Sequence, residues 1–229
     1  MPSATWLLVR DELAGFAKSK VMLVLWVLLP VMAIVGYLAL PLNPVVGASG
    51  FKLSATAFMA FLMSSLAGTV AALMVAVDII SEKNRKVYEL FVIRPIRREA
   101  LIWAKFIAVF GCVTVACMVA LALGIAVDWV RGQPVSGEML SDILRSVVSL
   151  IGVIALSAGV GAFFGVVSKT ILVAVILILY VGQNLAIVPM LPVYLGILPQ
   201  YFWVVMLASA ALAALVVWGS GFLFRRTEY

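Results

Sequence analysis

Residues 170–224 read TILVAVILILYVGQNLAIVPMLPVYLGILPQYFWVVMLASAALAALVVWGSGFLF, 55 positions without a charged side chain. A helix crosses the hydrocarbon of a bilayer in about 20 residues, so this run holds two crossings and a break. Pro189, Pro192 and Pro199, with Gly196 between them, supply the break. Further uncharged runs cover 21–51, 53–77, 106–127 and 146–168. The spacing predicts an all-α, polytopic membrane protein with six transmembrane helices, near 21–41, 54–79, 101–127, 143–167, 171–188 and 201–223.

Composition points the same way. Of the 229 residues, 66% are hydrophobic and 11% charged, against roughly 45–50% and about 25% in soluble domains. A soluble chain of this length must cover itself with polar surface that this one lacks. The absence of histidine excludes imidazole bases, Ser-His-Asp triads and most zinc or haem sites, and no metal site is expected. Cys112 and Cys117, five apart in one apolar run, suit neither a CxxC motif nor a local disulfide.

The basic residues give an orientation. With both termini cytoplasmic, 13 of the 16 Lys and Arg fall inside, and only Lys52, Arg131 and Arg145 fall outside. That bias accounts for the formal charge of +6 without a nucleic-acid partner. Trp103, Trp129 and Trp203 fall at expected helix ends, as an interfacial aromatic belt would place them. The N-terminus is too charged for a cleavable signal peptide. Residues 3–18 are expected to form an amphipathic helix on the membrane surface, with Trp6, Val9, Leu13 and Phe16 on its apolar stripe and Arg10, Asp11, Glu12 and Lys18 off it.

The most charged stretch is DIISEKNRKVYELFVIRPIRREALIWAK, residues 78–105. Glu82 with Lys86, and Arg85 with Glu89, are four apart, while Val87, Leu90 and Phe91 share another face. A short helix over 82–93 is expected, ended by Pro95. Such a helix suits a lever that a soluble partner grips; a solvated connection is the plain alternative.

The layout of surface helix, six spans and first inner loop resembles the membrane subunits of type-two ATP-binding-cassette (ABC) exporters. In that family an acidic-basic pair ends the second span, followed by a Leu-containing apolar stretch, a proline, a basic residue and a lysine entering the third span. Here these are Glu82-Lys83, Glu89-Leu90, Pro95, Arg97 and Lys105. Gly161 to Lys169 and the prolines at 189, 192 and 199 resemble the family's fourth-span end and the segment before its last span. Lys86-Val87 stands where many members have Gly-Thr, and the last outer segment lacks the usual Ser-Gly feature.

The resemblance implies that residues 1–229 form one permease domain in the bacterial plasma membrane, contacting lipid. Helix 82–93 would be a cytoplasmic coupling helix, with Glu82, Lys83, Lys86, Val87, Glu89, Leu90, Pro95 and Arg97 meeting an ABC ATPase subunit. The chain has no GxxxxGK[ST] loop. ATP and magnesium would therefore be held by that partner, with no cofactor and no catalysis on this chain. Six spans are half of what such an exporter uses, which implies a second permease chain, identical or not.

Within the spans no ionisable residue is expected in the membrane interior, since Asp78 and Asp128 fall at span ends. This disfavours an ion- or proton-driven carrier or channel, the main alternative. No acid or nucleophile stands out for an intramembrane enzyme. Tyr180, Gln183 and Asn184 share a face of the fifth span, and Ser65 and Thr69 belong to a small, weakly polar patch of the second. They are either hydrogen-bonding glue between helices or the lining of a translocation path. Ser157, Gly161 and Gly165, at four-residue steps, are expected to allow close helix packing. The mainly apolar spans favour a lipid-like, peptide or hydrophobic drug cargo.

Overall fold

The computed structural model describes residues 4–39, 45–46, 52–53, 55–85, 98–130, 137–190 and 201–226. The described residues are helical apart from one antiparallel ladder pairing Val45–Val46 with Lys52–Leu53. Its helices are α1 (Ala4–Ala17), α2 (Lys20–Ala39), α3 (Ala55–Asn84), α4 (Arg98–Val130), α5 (Gly137–Val167), α6 (Ile171–Ala186) and α7 (Phe202–Arg226). Within α6, Ile178–Gly182 is π-helical, and a 3₁₀ turn at Val188–Met190 follows it.

Among the described residues, four helices are long and apolar enough to cross a membrane: α3, α4, α5 and α7. The broken pair α1–α2, bent by 63°, passes the same test when taken together. Ser19 makes the bend. The backbone N–H of Met22 donates to its Oγ at 3.1 Å, so Ser19 caps α2 while its own N–H closes α1 on the Phe16 carbonyl. The 16 residues of α6 reach only about 24 Å.

The exterior is apolar where a soluble protein would be polar. Val24, Val27 and Val35 on α2 and Leu207, Leu215 and Trp218 on α7 are exposed. A continuous apolar surface of this kind requires lipid around it. Trp129 and Trp203 are exposed at helix ends. Trp103 departs from the expected belt. It is half-buried and packs edge-on against Phe106, because the N-terminal turns of α4 lie inside the helical cluster.

The central pair is α3 and α5, with α4 and α7 beside it, α2 on α4 and α6 against both α3 and α5. Small residues set the approach of the central pair. A Cβ on Gly161 would overlap the carbonyl and Cα of Ala72; one on Gly165 would stand 3.0 Å from Ala76 Cα; one on Gly68 would stand 2.8 Å from Ser157 Oγ. In lipid, where burial of apolar surface between helices gains little, this close contact holds a pair together. Gly161→Ala is expected to lower stability by about 1–3 kcal/mol, read as a reduced thermal midpoint in detergent. Gly137→Ala, with open space around the added carbon, should leave the midpoint unchanged.

Candidate functional site

At one end of the bundle the last turn of α3 meets the start of α4, the ends of α5 and α7, and α1. Every described interhelical ion pair lies here. Lys105 of α4 is completely buried, including its ammonium group. It donates to the carboxylates of Asp78, of Glu82 (Oε1, 2.7 Å) and of Glu12 on α1 (Oε1, 3.1 Å). A buried ammonium is tolerated only when its charge and its donors are matched, and three carboxylates supply both.

Lys83, next in sequence to Glu82, points to the other side of α3. Its ammonium donates to the carbonyls of Val166 (2.7 Å) and Ser168 (3.2 Å) at the C-terminus of α5. These carbonyls lack intrahelical partners and carry the negative end of the helix dipole, so a lysine is the matching cap. Adjacent residues on a helix diverge by about 100°. The acidic-basic pair therefore fastens the end of α3 to α4 and α1 on one side and to α5 on the other. At the surface nearby, Arg225 Nη1 lies 3.4 Å from Glu99 Oε1, joining α7 to α4.

This arrangement bears on three expectations. Lys105, expected at the entry to the third span, lies in the first turns of α4 and is buried there. Glu82 and Lys83 form the last turn of α3, which runs to Asn84 past the expected end at 79, so no separate helix begins at 82. On α1 the apolar stripe is divided. Phe16 is buried and Val9 partly buried, whereas Trp6 and Leu13 are exposed, and Glu12 turns toward the bundle to reach Lys105. The remaining expected coupling residues, Lys86, Val87, Glu89, Leu90, Pro95 and Arg97, lie outside the described residues. Lys105 and Glu12 were the residues the loop reading passed over as site residues. Asp78 and Glu82, four apart on one face of α3, were the available sign that a cation had to face them.

A second polar feature joins α3 to α6. Gln183 Nε2 donates to Thr69 Oγ1, and Thr69 donates to the Ser65 carbonyl at 2.7 Å. Tyr180 and Asn184 stay exposed, with the Asn184 amide donating to the Tyr180 carbonyl. The π turn explains the separation of Gln183 from Tyr180. The Gln183 N–H reaches back to the Ile178 carbonyl, five residues away, so the wider winding rotates Gln183 off the outward face and onto α3.

With this geometry in view, the chain can be placed. The family model for the ABC-2 family transporter protein matches residues 6–201, and the chain belongs to that family. It is thus a membrane protein of a group whose members are generally non-enzymatic membrane subunits working with an ATPase. No curated protein matches the chain.

Replacing the buried ammonium tests how far the end of the bundle depends on it. Lys105→Met leaves three carboxylates facing one another without a cation and is expected to cost about 3–5 kcal/mol, measured by thermal or denaturant unfolding in detergent. Lys83→Met removes the cap on α5 and should cost about 1 kcal/mol.

Proposed function

We propose that the chain is the membrane subunit of an ATP-driven exporter, working with a second permease chain above two separate ATPase subunits that hold ATP and magnesium. The observation that carries this reading beyond the family is the divergence of Glu82 and Lys83. The connection that follows α3 begins directly after the turn these residues fasten. A partner that pulls on that connection moves α3, and through the two side chains it moves α4, α1 and α5 together. A flexible loop hung from unfastened helix ends would dissipate the same displacement.

The remaining parts of the proposal follow the same logic. The charged end faces the cytoplasm of a bacterial cell, where the positive-inside bias puts it, and α2 and α6 join the four long helices as spans. Residues 86–97 supply the contact with the ATPase, through Lys86, Val87, Glu89, Leu90, Pro95 and Arg97. Tyr180 and Asn184, exposed on α6, meet the second permease chain and line the pathway beside the Ser65–Thr69–Gln183 link, because exposed amides at membrane depth need protein or water against them. Access then alternates as the two chains move apart and together. The cargo is lipid-like, a peptide or a hydrophobic drug, matching mainly apolar walls. An ion-driven carrier would need charged groups along the route, and no charge falls between Lys105 and Asp128 on α4 or anywhere in α6.

A tagged chain expressed from its native locus is expected to co-purify with an ATPase bearing a phosphate loop, and to transport only with ATP once reconstituted. Transport by the purified chain alone, driven by a pH or ion gradient, would overturn the proposal. Glu89→Ala should reduce ATP-driven transport about tenfold, the effect of about 1.4 kcal/mol lost at the contact, with the thermal midpoint unchanged. Glu82→Ala should lower transport and midpoint together, because Glu82 also holds Lys105.

A further inference from the structure

The cluster around Lys105 does not balance its charge. One ammonium serves Glu12, Asp78 and Glu82. Of the described cations nearby, Lys83 caps α5, Arg225 pairs with Glu99 at the surface, and Arg10, Lys18, Lys20 and Arg85 are exposed. Beyond Lys20, α2 carries no charge that could face the cluster, and Asp11 on α1 is exposed. One atom is also unsatisfied. Glu82 Oε1 accepts from Lys105, but Oε2 is buried without a donor among the described residues. A buried carboxylate oxygen in that condition is costly unless an N–H or O–H reaches it. Asp78 and Glu82 hold Lys105 most closely; Glu12 makes the longest of the three contacts and comes from a separate helix.

We propose that Glu12 is a proton site: it joins the cluster as the neutral acid, its O–H donating to Glu82 Oε2 while its carbonyl oxygen accepts from Lys105, so that seating α1 on the bundle takes up one proton from the solvent. One O–H bond of a solvent hydronium breaks, leaving water, one O–H bond forms on Glu12, and the net charge of the four groups goes from minus two to minus one. Two like-charged carboxylates sharing a water-poor site commonly resolve their repulsion this way.

The surroundings of Glu12 act in the same direction. Burial raises its carboxyl above the ordinary value; the Lys105 charge and hydrogen bond oppose this in part, and Asp78 and Glu82 reinforce it. A group that holds its proton more tightly in the seated state than in a released, solvated α1 strengthens seating at acid pH. That contribution is complete below the ordinary carboxylate value and is lost as pH rises through the raised value. The surface helix thereby becomes sensitive to cytoplasmic acidity. The proton site stands whether or not an ATPase engages the loop.

The test uses the full chain in lipid vesicles, titrated while the infrared stretch of protonated carboxyls is recorded. One carboxyl is expected to titrate above the ordinary range, to vanish in Glu12→Gln and to survive in Glu99→Gln, whose carboxylate pairs at the surface. Spin labels at Arg10→Cys and Asn84→Cys, in a chain lacking Cys112 and Cys117, report the position of α1. Their separation should lengthen as pH rises and stay short at every pH with Glu12→Gln. A native chain with no carboxyl titrating above the ordinary range, or a band that persists unchanged in Glu12→Gln, overturns the assignment. The native measurement decides this even if a variant folds poorly.

Discussion

A fully buried ammonium is the constraint around which the charged end of this bundle is built. Moving a lysine head group out of water costs several kcal/mol even after relaxation, and only close, correctly oriented carboxylates offset it. Lys105 meets that demand by drawing Asp78 and Glu82 from α3 and Glu12 from α1. The inner turns of α3 and α4 are thereby fixed to one another in rotation and in height. Lys83 can then serve α5, because the neighbouring Glu82 already commits the opposite side of α3. One buried charge thus determines the orientation of two adjacent side chains and the neighbours that each can reach.

Deeper in the bundle charge gives way to contact distance. Lipid surrounds apolar helices as well as another helix does, so association there depends on how closely two backbones approach. Gly68, Gly161 and Gly165 open that distance between α3 and α5. Two hydroxyls of α7 turn back on their own helix, Ser209 to Val205 and Ser220 to Val216. Gln183 has no such short route for its amide. It reaches across to Thr69, and the π turn in α6 is the backbone change that lets it do so.

Much of this was legible in the sequence, and the failures have physical causes. Long uncharged runs located α3, α4, α5 and α7, because a span is defined by the absence of charge over a fixed length. The four-residue steps through Ser157, Gly161 and Gly165 marked a face for close packing. The loop motif identified the family. The burial of Lys105 was not legible, because a lysine beside a basic loop resembles every other topogenic charge; only its three-dimensional neighbours reveal it. Periodicity placed Glu12 off the apolar stripe of α1 but could not show that it turns toward Lys105. The direction of Gln183 depended on a π turn that side-chain periodicity does not encode. The family match carries the assignment to ABC-2 transporters.

The same facts bear on which parts can move against one another. Gly161 stands so close to the Ala72 backbone that sliding α3 along α5 would force main-chain atoms into overlap, and Lys83 pins the end of the pair. These helices belong to one rigid unit, extended by Lys105 to α4. By contrast, α6 is short, is wound partly as a π-helix, and keeps much of its apolar surface outward. Its described polar link to the rigid unit is the Gln183–Thr69 hydrogen bond. In the proposed cycle a displacement entering at the end of α3 therefore moves the central unit as a body. Rearrangement concentrates at α6, which has no ion pair to that unit among the described residues: it is held by the Gln183–Thr69 hydrogen bond and by the packing of Ala174, Ile178 and Ala186, and it can move without uncovering a buried ammonium.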